Sequence, residues 1–290
     1  MRDRELSVPL SFLIFTSSPS FDEEIVRIVV CESPEQVAKM AAQESIEYLG
    51  IGCNNRSSVQ EKIMLGLATG STPLGLYQEW IERHRSGEIS FRNVVSFNLD
   101  EYCGVPPENP QSYHYFMQEN LFRHIDILPQ NTHIPNTNTD DLPSSAEAYE
   151  LAIAQAGGID LQVLGIGSEG HIGFNELGSS LSSATRVKTL TSKTRKDNAR
   201  FFKSLDQVPK MAITMGLGTI MNARAIMLLA TGRHKADTIR QSVEGPVTAM
   251  VPASILQFHP NATMILDRDA ASKLDHIDYY LECERNQQTL

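Results

Sequence analysis

The chain has 290 residues, of which 41% are hydrophobic and 21% are charged, and its formal net charge is -10. This length fits one large domain or two small ones, and the apolar fraction supplies a substantial core. The acidic balance disfavours a nucleic-acid-binding protein, because such proteins hold phosphate backbones with Lys and Arg. No apolar run reaches the roughly 18 residues of a membrane span, so we expect no membrane association.

Cysteine usage and the N-terminus favour a location inside the cell. The four cysteines, Cys31, Cys53, Cys103 and Cys283, include no CxxC pair, so neither a zinc site nor a redox dithiol is predicted. Free thiols are typical of a reducing compartment, and we predict a cytoplasmic protein. Residues 1–24 hold only a short apolar run with acidic neighbours, and we interpret them as an N-terminal extension and not as a signal peptide. A start codon placed too far upstream is the alternative.

Short apolar runs alternate with helical patterns through most of the chain, which is typical of a mostly parallel sheet in an α/β domain. The predicted strands are Ile25–Cys31, Ile63–Ala68, Val94–Asn98, Leu161–Ile166, Ala225–Ala230 and Ala262–Leu266. One predicted helix begins at Pro34, and a second ends near Arg85. Two more span Ser112–Phe122 and Ser144–Ala156, and a fifth begins near Lys235. No repeat or low-complexity linker divides the pattern, so we predict a single domain over residues 25–290.

Polar, glycine-rich loops follow four of these strands. They are Thr69–Thr72, Asp100–Glu101, Gly165–Glu176 and Thr231–Lys235. Ligands of open α/β sheets bind at the carboxyl ends of the strands, so we expect these loops to converge. The hydroxyls and backbone N–H groups of Thr69–Thr72 suit a phosphate at a helix N-terminus, although a simple helix cap is an equal alternative.

The segment Gly165–Gly170 matches the GxGxxG pattern of dinucleotide sites. That fingerprint also requires an acidic residue about 20 positions later. The corresponding stretch holds Arg186, Val187 and Lys188 instead. We therefore predict no nucleotide cofactor.

Acid–base candidates follow two of the buried strands. Asp100 and Glu101 end one of them, and His171 follows another. An acidic pair often only solvates a loop, and a histidine is often structural. Glu169 and Glu176 lie near His171, however, and carboxylates can orient a histidine and raise its pKa for acid–base catalysis. No second histidine stands at metal-ligand spacing, so we expect no metal site.

Basic residues crowd one predicted helix at Arg195, Lys196, Arg200 and Lys203. A solvated basic face is the first interpretation. The second is a phosphate ligand that turns inward, for which Arg200 is the best candidate. Lys235, which follows a glycine turn at a helix start, is another candidate phosphate contact.

Six segments together resemble the glucosamine-6-phosphate deaminase family, from about Ile25 to the C-terminus. They are LGLATGSTPLGLY, VVSFNLDEYCG, SYHYFM, GIGSEGHIGFNE, SSLSSATRVKTLT and VPKMAITMGLGTI. Several are long and unusual, so the resemblance is specific. It implies a modified Rossmann-like three-layer α/β/α fold that binds no nucleotide, and chemistry without a metal or an organic cofactor.

The resemblance also implies roles for the candidate residues. The implied phosphate contacts are Ser71, Thr72, Arg200 and Lys235. Asp100 becomes the base at the substrate's C2, His171 the catalyst of ring opening, and Glu169 and Glu176 the carboxylate partners of His171. The implied reaction converts glucosamine 6-phosphate to fructose 6-phosphate and ammonia, a step of amino-sugar catabolism.

Two other functions remain alternatives. The 6-phosphogluconolactonases look similar around Gly165–His171, but Asn98–Glu101 and Gly173–Glu176 follow the deaminase pattern. A non-catalytic sugar-phosphate sensor would keep the phosphate contacts and lose its base, whereas this chain keeps Asp100.

Two departures and one further match qualify the resemblance. Where this chain has Glu169 and Leu177, the family commonly has Asp or Asn and often Pro, respectively; we still expect an active enzyme. Some relatives are hexamers activated by N-acetylglucosamine 6-phosphate, and the matching effector positions are Ser179, Arg186, Lys188 and Tyr279. These matches predict a homo-oligomer with this effector, and the longer N-terminus leaves activation open because the N-terminus contributes to that site in those relatives.

Overall fold

The structure is a computed structural model that describes residues 26–52, 62–199, 202 and 204–287. The predicted extension at residues 1–24 lies outside these ranges. The strands are β1 (Arg27–Cys31), β2 (Ile63–Leu67), β3 (Val94–Asn98), β4 (Asp100–Tyr102), β5 (Thr132–His133), β6 (Leu161–Leu164), β7 (Arg186–Thr189), β8 (Met211–Thr214), β9 (Ala225–Ala230) and β10 (Ala262–Asp267). The α-helices are α1 (Pro34–Leu49), α2 (Leu74–Arg85), α3 (Tyr113–Asn120), α4 (Leu142–Gln155), α5 (Ser192–Asn198), α6 (Leu217–Met221), α7 (Ala236–Val243), α8 (Arg268–Ala271) and α9 (Ile277–Gln287).

Seven strands form the main sheet, in the order β1-β10-β9-β6-β2-β3-β5, and all their pairings are parallel. Strand β9 shows why helices must pack on both faces of the sheet. All its residues are buried, and Met227 and Leu229 face one core while Ile226 and Leu228 face the other. Helices α1 to α3 pack on the first core, and α4 and α6 to α9 pack on the second. The predicted three-layer α/β/α fold is confirmed.

A second, three-stranded sheet in the order β4-β8-β7 is antiparallel and was not predicted. Strand β4 follows β3 after the single residue Leu99. The Leu99 N–H donates to the Leu67 carbonyl of the main sheet at 3.0 Å, and the Leu99 carbonyl accepts from the Met215 N–H beyond β8 at 2.7 Å. The chain therefore changes sheets at Leu99, which places Asp100 opposite Thr214.

Local signals in the sequence explain the ends of helix α1. Ser33 caps its N-terminus, and Pro34 occupies the first turn, where no N–H partner is needed. Gly50 ends the helix with a φ of 62°, a left-handed conformation that favours glycine. Within the described ranges, no helix combines the length and the apolar composition that crossing a bilayer requires.

Candidate active site

A cavity of about 330 Å³ lies where β2, β3 and β6 end. Each of the four polar loops contributes at least one residue to its wall, so their predicted convergence is confirmed. The candidate residues that line the cavity are Ser71, Thr72, Asp100, His171 and Lys235. Glu169 and Glu176 lie outside its lining, and Arg200 lies outside the described residues.

The loop between β2 and α2 forms one end of the cavity. Gly70 has a φ of 100°, which lets the chain turn sharply after the strand. Pro73 occupies the N-cap of α2 and makes no side-chain hydrogen bond, so no capping side chain covers the first N–H groups of this helix. A Cβ added to Gly165 would lie 3.8 Å from the Thr72 Cβ, so the loops after β2 and β6 are in contact here. This end of the cavity can bind an anion.

Lys235 brings a positive charge to the same cavity. It ends the 3-10 turn Arg233–Lys235 that follows Gly232. The Gly232 N–H donates to both carboxylate oxygens of Asp267, at 3.0 and 2.9 Å, which fixes the turn. The Lys235 Nζ donates to the Ile166 carbonyl at 2.6 Å, so the ammonium group lies against the loop after β6. An ammonium group near the uncapped start of α2 suits a phosphate.

Asp100 is the carboxylate of the cavity wall. It is only 6% exposed, and burial raises its pKa to about 8, with a further increase from the neighbouring Glu101 charge. A hydrogen bond with the Thr214 side chain acts in the opposite direction. A carboxylate with a pKa near neutrality is a stronger base than an exposed one and can still ionise under ordinary conditions.

Gly173 leaves the space that the Asp100 carboxylate occupies. Its φ is 56°, and a Cβ there would lie 3.0 Å from Thr214 Oγ1 and 3.3 Å from Asp100 Oδ2. We expect Gly173→Ala to lower kcat about tenfold, because a displacement of a few tenths of an ångström misplaces the Asp100 carboxylate, the candidate base. Steady-state kinetics on the purified variant measures this effect.

Gly87 offers a matched control for that substitution, because it has a φ of 79° and nothing within 4 Å of an added Cβ. Both alanine variants should lose about 1–2 kcal/mol of stability from the left-handed backbone. Only Gly173→Ala should lose activity, and equal kinetics for the two variants would exclude crowding of Asp100.

His171 packs its imidazole directly over the Gly167 backbone. The Gly167 N–H donates to the His171 carbonyl at 2.9 Å, and a Cβ on Gly167 would lie 2.0 Å from the His171 Cε1 atom. Gly167, the second glycine of the GxGxxG pattern, therefore leaves room for the imidazole ring of His171. Gly170, with a φ of 76°, lies close to Val251. These contacts account for the pattern without a pyrophosphate.

Glu176 and Glu169 both contact the start of helix α5. The buried Glu176 Oε1 accepts from the Thr191 N–H at 3.1 Å and the Thr191 hydroxyl at 2.8 Å, and also from the Thr194 hydroxyl. Glu169 forms an ion pair with Lys193, and both side chains are partly exposed. Both carboxylates on the His171 loop therefore hold α5, whose Asn198 lines the cavity.

Aromatic rings form a wall of the cavity, and the sequence pattern does not predict this wall. Tyr102 lies 4.9 Å from Tyr113, 5.4 Å from Phe174 and 5.8 Å from Phe202, measured between ring centroids. The Tyr113 hydroxyl donates to the Tyr102 hydroxyl at 3.3 Å. The segments DEYCG, SYHYFM and GFNE contain aromatic residues, but the spacing of these segments along the chain does not show that the rings meet.

The four effector candidates do not all lie in one element. Ser179 is 4% exposed, and its hydroxyl has no hydrogen-bond partner among the described residues. Arg186 and Lys188 lie on β7 of the second sheet. Tyr279 is 53% exposed and lies on α9, which packs against the edge strand β1.

Known proteins are similar in sequence to most of this chain. The family model described as glucosamine-6-phosphate isomerases/6-phosphogluconolactonase matches residues 32–265. A glucosamine-6-phosphate deaminase of Hahella chejuensis is 56% identical over 257 residues, covering 88% of this chain and 94% of the relative. The corresponding protein of Thermoanaerobacter pseudethanolicus is 49% identical, covering 87% and 97%.

Solved structures extend the match to three dimensions. A monomeric glucosamine-6-phosphate deaminase is 41% identical with a TM-score of 0.80, covering 86% of this chain and all of that one. A 6-phosphogluconolactonase from Trypanosoma cruzi is 25% identical with a TM-score of 0.66, covering 87% and 98%. The family model and the relatives each span most of the chain, and this protein belongs to the glucosamine-6-phosphate isomerase/6-phosphogluconolactonase family.

Proposed function

We propose that this chain converts glucosamine 6-phosphate to fructose 6-phosphate and ammonia. One observation carries the proposal: a buried carboxylate with a pKa of about 8, Asp100, lines a single cavity with His171 and with the anion-binding end formed by Ser71, Thr72 and Lys235. The two deaminases that are 56% and 49% identical to this chain support it. An anion-binding end and an acid–base pair in the same cavity match a phosphorylated sugar that must lose a carbon-bound proton.

The chemistry requires three operations. The cyclic sugar has no acidic C2 proton, so His171 first moves a proton from the O1 hydroxyl to the ring oxygen, which opens the ring to an aldehyde. Ionised Asp100 then removes the C2 proton, which the aldehyde carbonyl acidifies, while the substrate's ammonium group passes a proton to O1, and a neutral enolamine results. Asp100 returns its proton to C1. Water adds to the resulting C2 iminium, and ammonia leaves as the ketone forms. Each positioned proton transfer contributes roughly 10²–10⁴-fold.

The remaining residues have binding or positioning roles in the proposed reaction. We propose that Ser71, Thr72, Lys235 and Arg200 hold the phosphate, which orients C2 toward Asp100. Glu169 and Glu176 are proposed as the carboxylates that orient His171. Their contacts with α5 support a positioning role, because movement of α5 would shift both carboxylates together.

The direct test offers the purified protein two substrates in parallel. We expect ammonia and fructose 6-phosphate in equal amounts from glucosamine 6-phosphate, and no acceleration of 6-phosphogluconolactone hydrolysis. Hydrolysis of the lactone without ammonia release would establish the lactonase alternative. Binding of the amino sugar without turnover of either compound would establish the sensor alternative.

We further propose that Ser179, Arg186, Lys188 and Tyr279 bind N-acetylglucosamine 6-phosphate in a hexamer. The buried hydroxyl of Ser179, which has no hydrogen-bond partner in the described part of the chain, supports an anion site, as does the half-buried Arg186, whose pKa burial lowers. A monomeric relative 41% identical to this chain makes the oligomeric state the first quantity to measure. Sedimentation should give a hexamer, and the effector should lower the half-saturating substrate concentration at least about fivefold in the wild type but not in Arg186→Ala. A monomer that ignores the effector would refute this proposal.

We propose a cytoplasmic location. Cys31, Cys103 and Cys283 are free thiols in the structure, as expected of a reducing compartment. Fractionation of the source cells would test the location, and recovery with secreted proteins would contradict it.

A further inference from the structure

Glu101, next to the proposed base, is a second buried carboxylate that the reaction does not use. The residue is 4% exposed and does not line the cavity. Burial raises its pKa. Because a buried carboxylate is costly unless its charge is compensated, the partners of Glu101 indicate its role.

Three backbone N–H groups donate to the Glu101 carboxylate. Tyr102 donates to Oε1 at 2.8 Å, Tyr113 to Oε1 at 3.0 Å, and His114 to Oε2 at 2.8 Å. Tyr113 and His114 are the first two residues of α3, where N–H groups have no partner within the helix. The third, Tyr115, donates to the Ser112 hydroxyl at 3.0 Å. The first turn of α3 is thus fully occupied, and its positive end faces a carboxylate.

We propose that Glu101 is a positioning residue that fastens the first turn of α3 to β4 and so holds the Tyr113 wall of the cavity beside Asp100. This inference rests on the proposed function, because it assigns Glu101 a part in the same site. Tyr113 lines the cavity and stacks on Phe174, with ring centroids 6.1 Å apart. Release of the helix would therefore move an aromatic wall of the substrate site.

The negative charge of Glu101 also affects the pKa of Asp100. After burial, the negative charge of Glu101 is the second cause that raises the pKa of Asp100. Among the described residues, the other titratable and polar groups around the two carboxylates are Tyr102 on β4, Cys103 just after it, Tyr113 and His114 on α3, Tyr149 on α4, Thr214 on β8, and His171 and Lys235 in the cavity lining. Loss of the Glu101 charge therefore lowers the pKa of Asp100.

The test compares two carboxylate-to-amide variants on the same stretch of chain. Glu101→Gln removes the charge and one acceptor, whereas Glu108→Gln alters an exposed acid in the loop before α3. We expect Glu101→Gln to raise KM for glucosamine 6-phosphate about tenfold or more and to move the rising limb of the kcat/KM pH profile to lower pH. Glu108→Gln should match the wild type in both respects.

Glu101→Asp distinguishes the effect of the negative charge from the effect of side-chain length. This variant should keep the wild-type pH profile, since the charge remains, and still show a raised KM because the shorter side chain cannot reach all three N–H groups. A Glu101→Gln enzyme with wild-type KM and pH profile would overturn the proposal.

Hydrogen exchange on the wild-type protein keeps the test decisive if Glu101→Gln does not fold. The Tyr113 and His114 amides should exchange as slowly as those in the middle of α3, although first-turn amides normally exchange fast. Exchange at the rate of unprotected amides would overturn the proposal. If the wild type released no ammonia, the proposed function would fail while this measurement still tested the attachment of α3.

Discussion

Asp100→Asn is expected to abolish turnover of glucosamine 6-phosphate while leaving substrate binding nearly intact. Asparagine has the same shape but cannot accept the C2 proton, and one positioned proton transfer contributes roughly 10²–10⁴-fold. Because the same group takes the proton at C2 and returns it at C1, the loss should lie at the upper end of that range. The proposed phosphate contacts, Ser71, Thr72 and Lys235, are on other loops, so the dissociation constant measured by calorimetry should change little.

The raised pKa of Asp100 gives this prediction a pH signature. The wild-type kcat/KM should rise with pH through about 8, because only the ionised carboxylate is a base. The stability of the folded protein should change with pH in the opposite direction to kcat/KM. A folded-state pKa above the unfolded value means that stability is lost as pH rises from about 4 to about 8.

Thermal unfolding of the same variant provides the control for folding. Asp100→Asn has no carboxylate to ionise, so its Tm should exceed that of the wild type at pH 8 and approach it near pH 4. Unchanged activity in Asp100→Asn would remove this residue from the mechanism. A Tm below that of the wild type at pH 8 would contradict the burial of an ionisable carboxyl.

His171→Asn should lower kcat for the cyclic substrate by roughly 10²–10⁴-fold, because ring opening loses its proton shuttle. The proton transfers between C1 and C2, which we assign to Asp100, should survive. Fructose 6-phosphate opens to its keto form without the enzyme, so ring opening does not limit the reverse reaction. In deuterated water with ammonium present, His171→Asn should therefore still exchange the C1 hydrogen of fructose 6-phosphate.

Asp100→Asn is the matched comparison for that exchange experiment, since it should exchange no C1 hydrogen. Nuclear magnetic resonance of fructose 6-phosphate measures both variants in the same way. If His171→Asn lost C1 exchange as completely as Asp100→Asn, the two residues would share the proton transfer and the assignment of ring opening to His171 would be wrong.

Runs of buried residues made the main sheet predictable. Ala225–Ala230 and Val94–Asn98 have the predicted bounds, because a strand covered on both faces is apolar or small at nearly every position. The second sheet carries no such signal. Strand β7, Arg186–Thr189, is polar and only partly buried, and β4 has three residues with no turn to separate it from β3.

The candidate site was predictable in its residue types and less so in its contacts. The strand-end rule and the family resemblance identified Asp100, His171 and Lys235, and all three line the cavity. The partners that tune them are distant in sequence. Thr214 faces Asp100 only because β4 pairs with β8, and Glu176 reaches the start of α5 only through the folded loop. Such pairings depend on tertiary structure, which local periodicity does not encode.

The fate of the C2 hydrogen shows whether a base removes that proton during the reaction. Glucosamine 6-phosphate carrying deuterium at C2 would be incubated with the wild-type enzyme, and ammonia and the sugar product would be analysed together. We expect equal amounts of ammonia and fructose 6-phosphate, with the deuterium gone from C2 and found at C1 or in water. Ammonia released with a sugar that still carries deuterium at C2 would mean that no base removes that proton, and would contradict the role of Asp100.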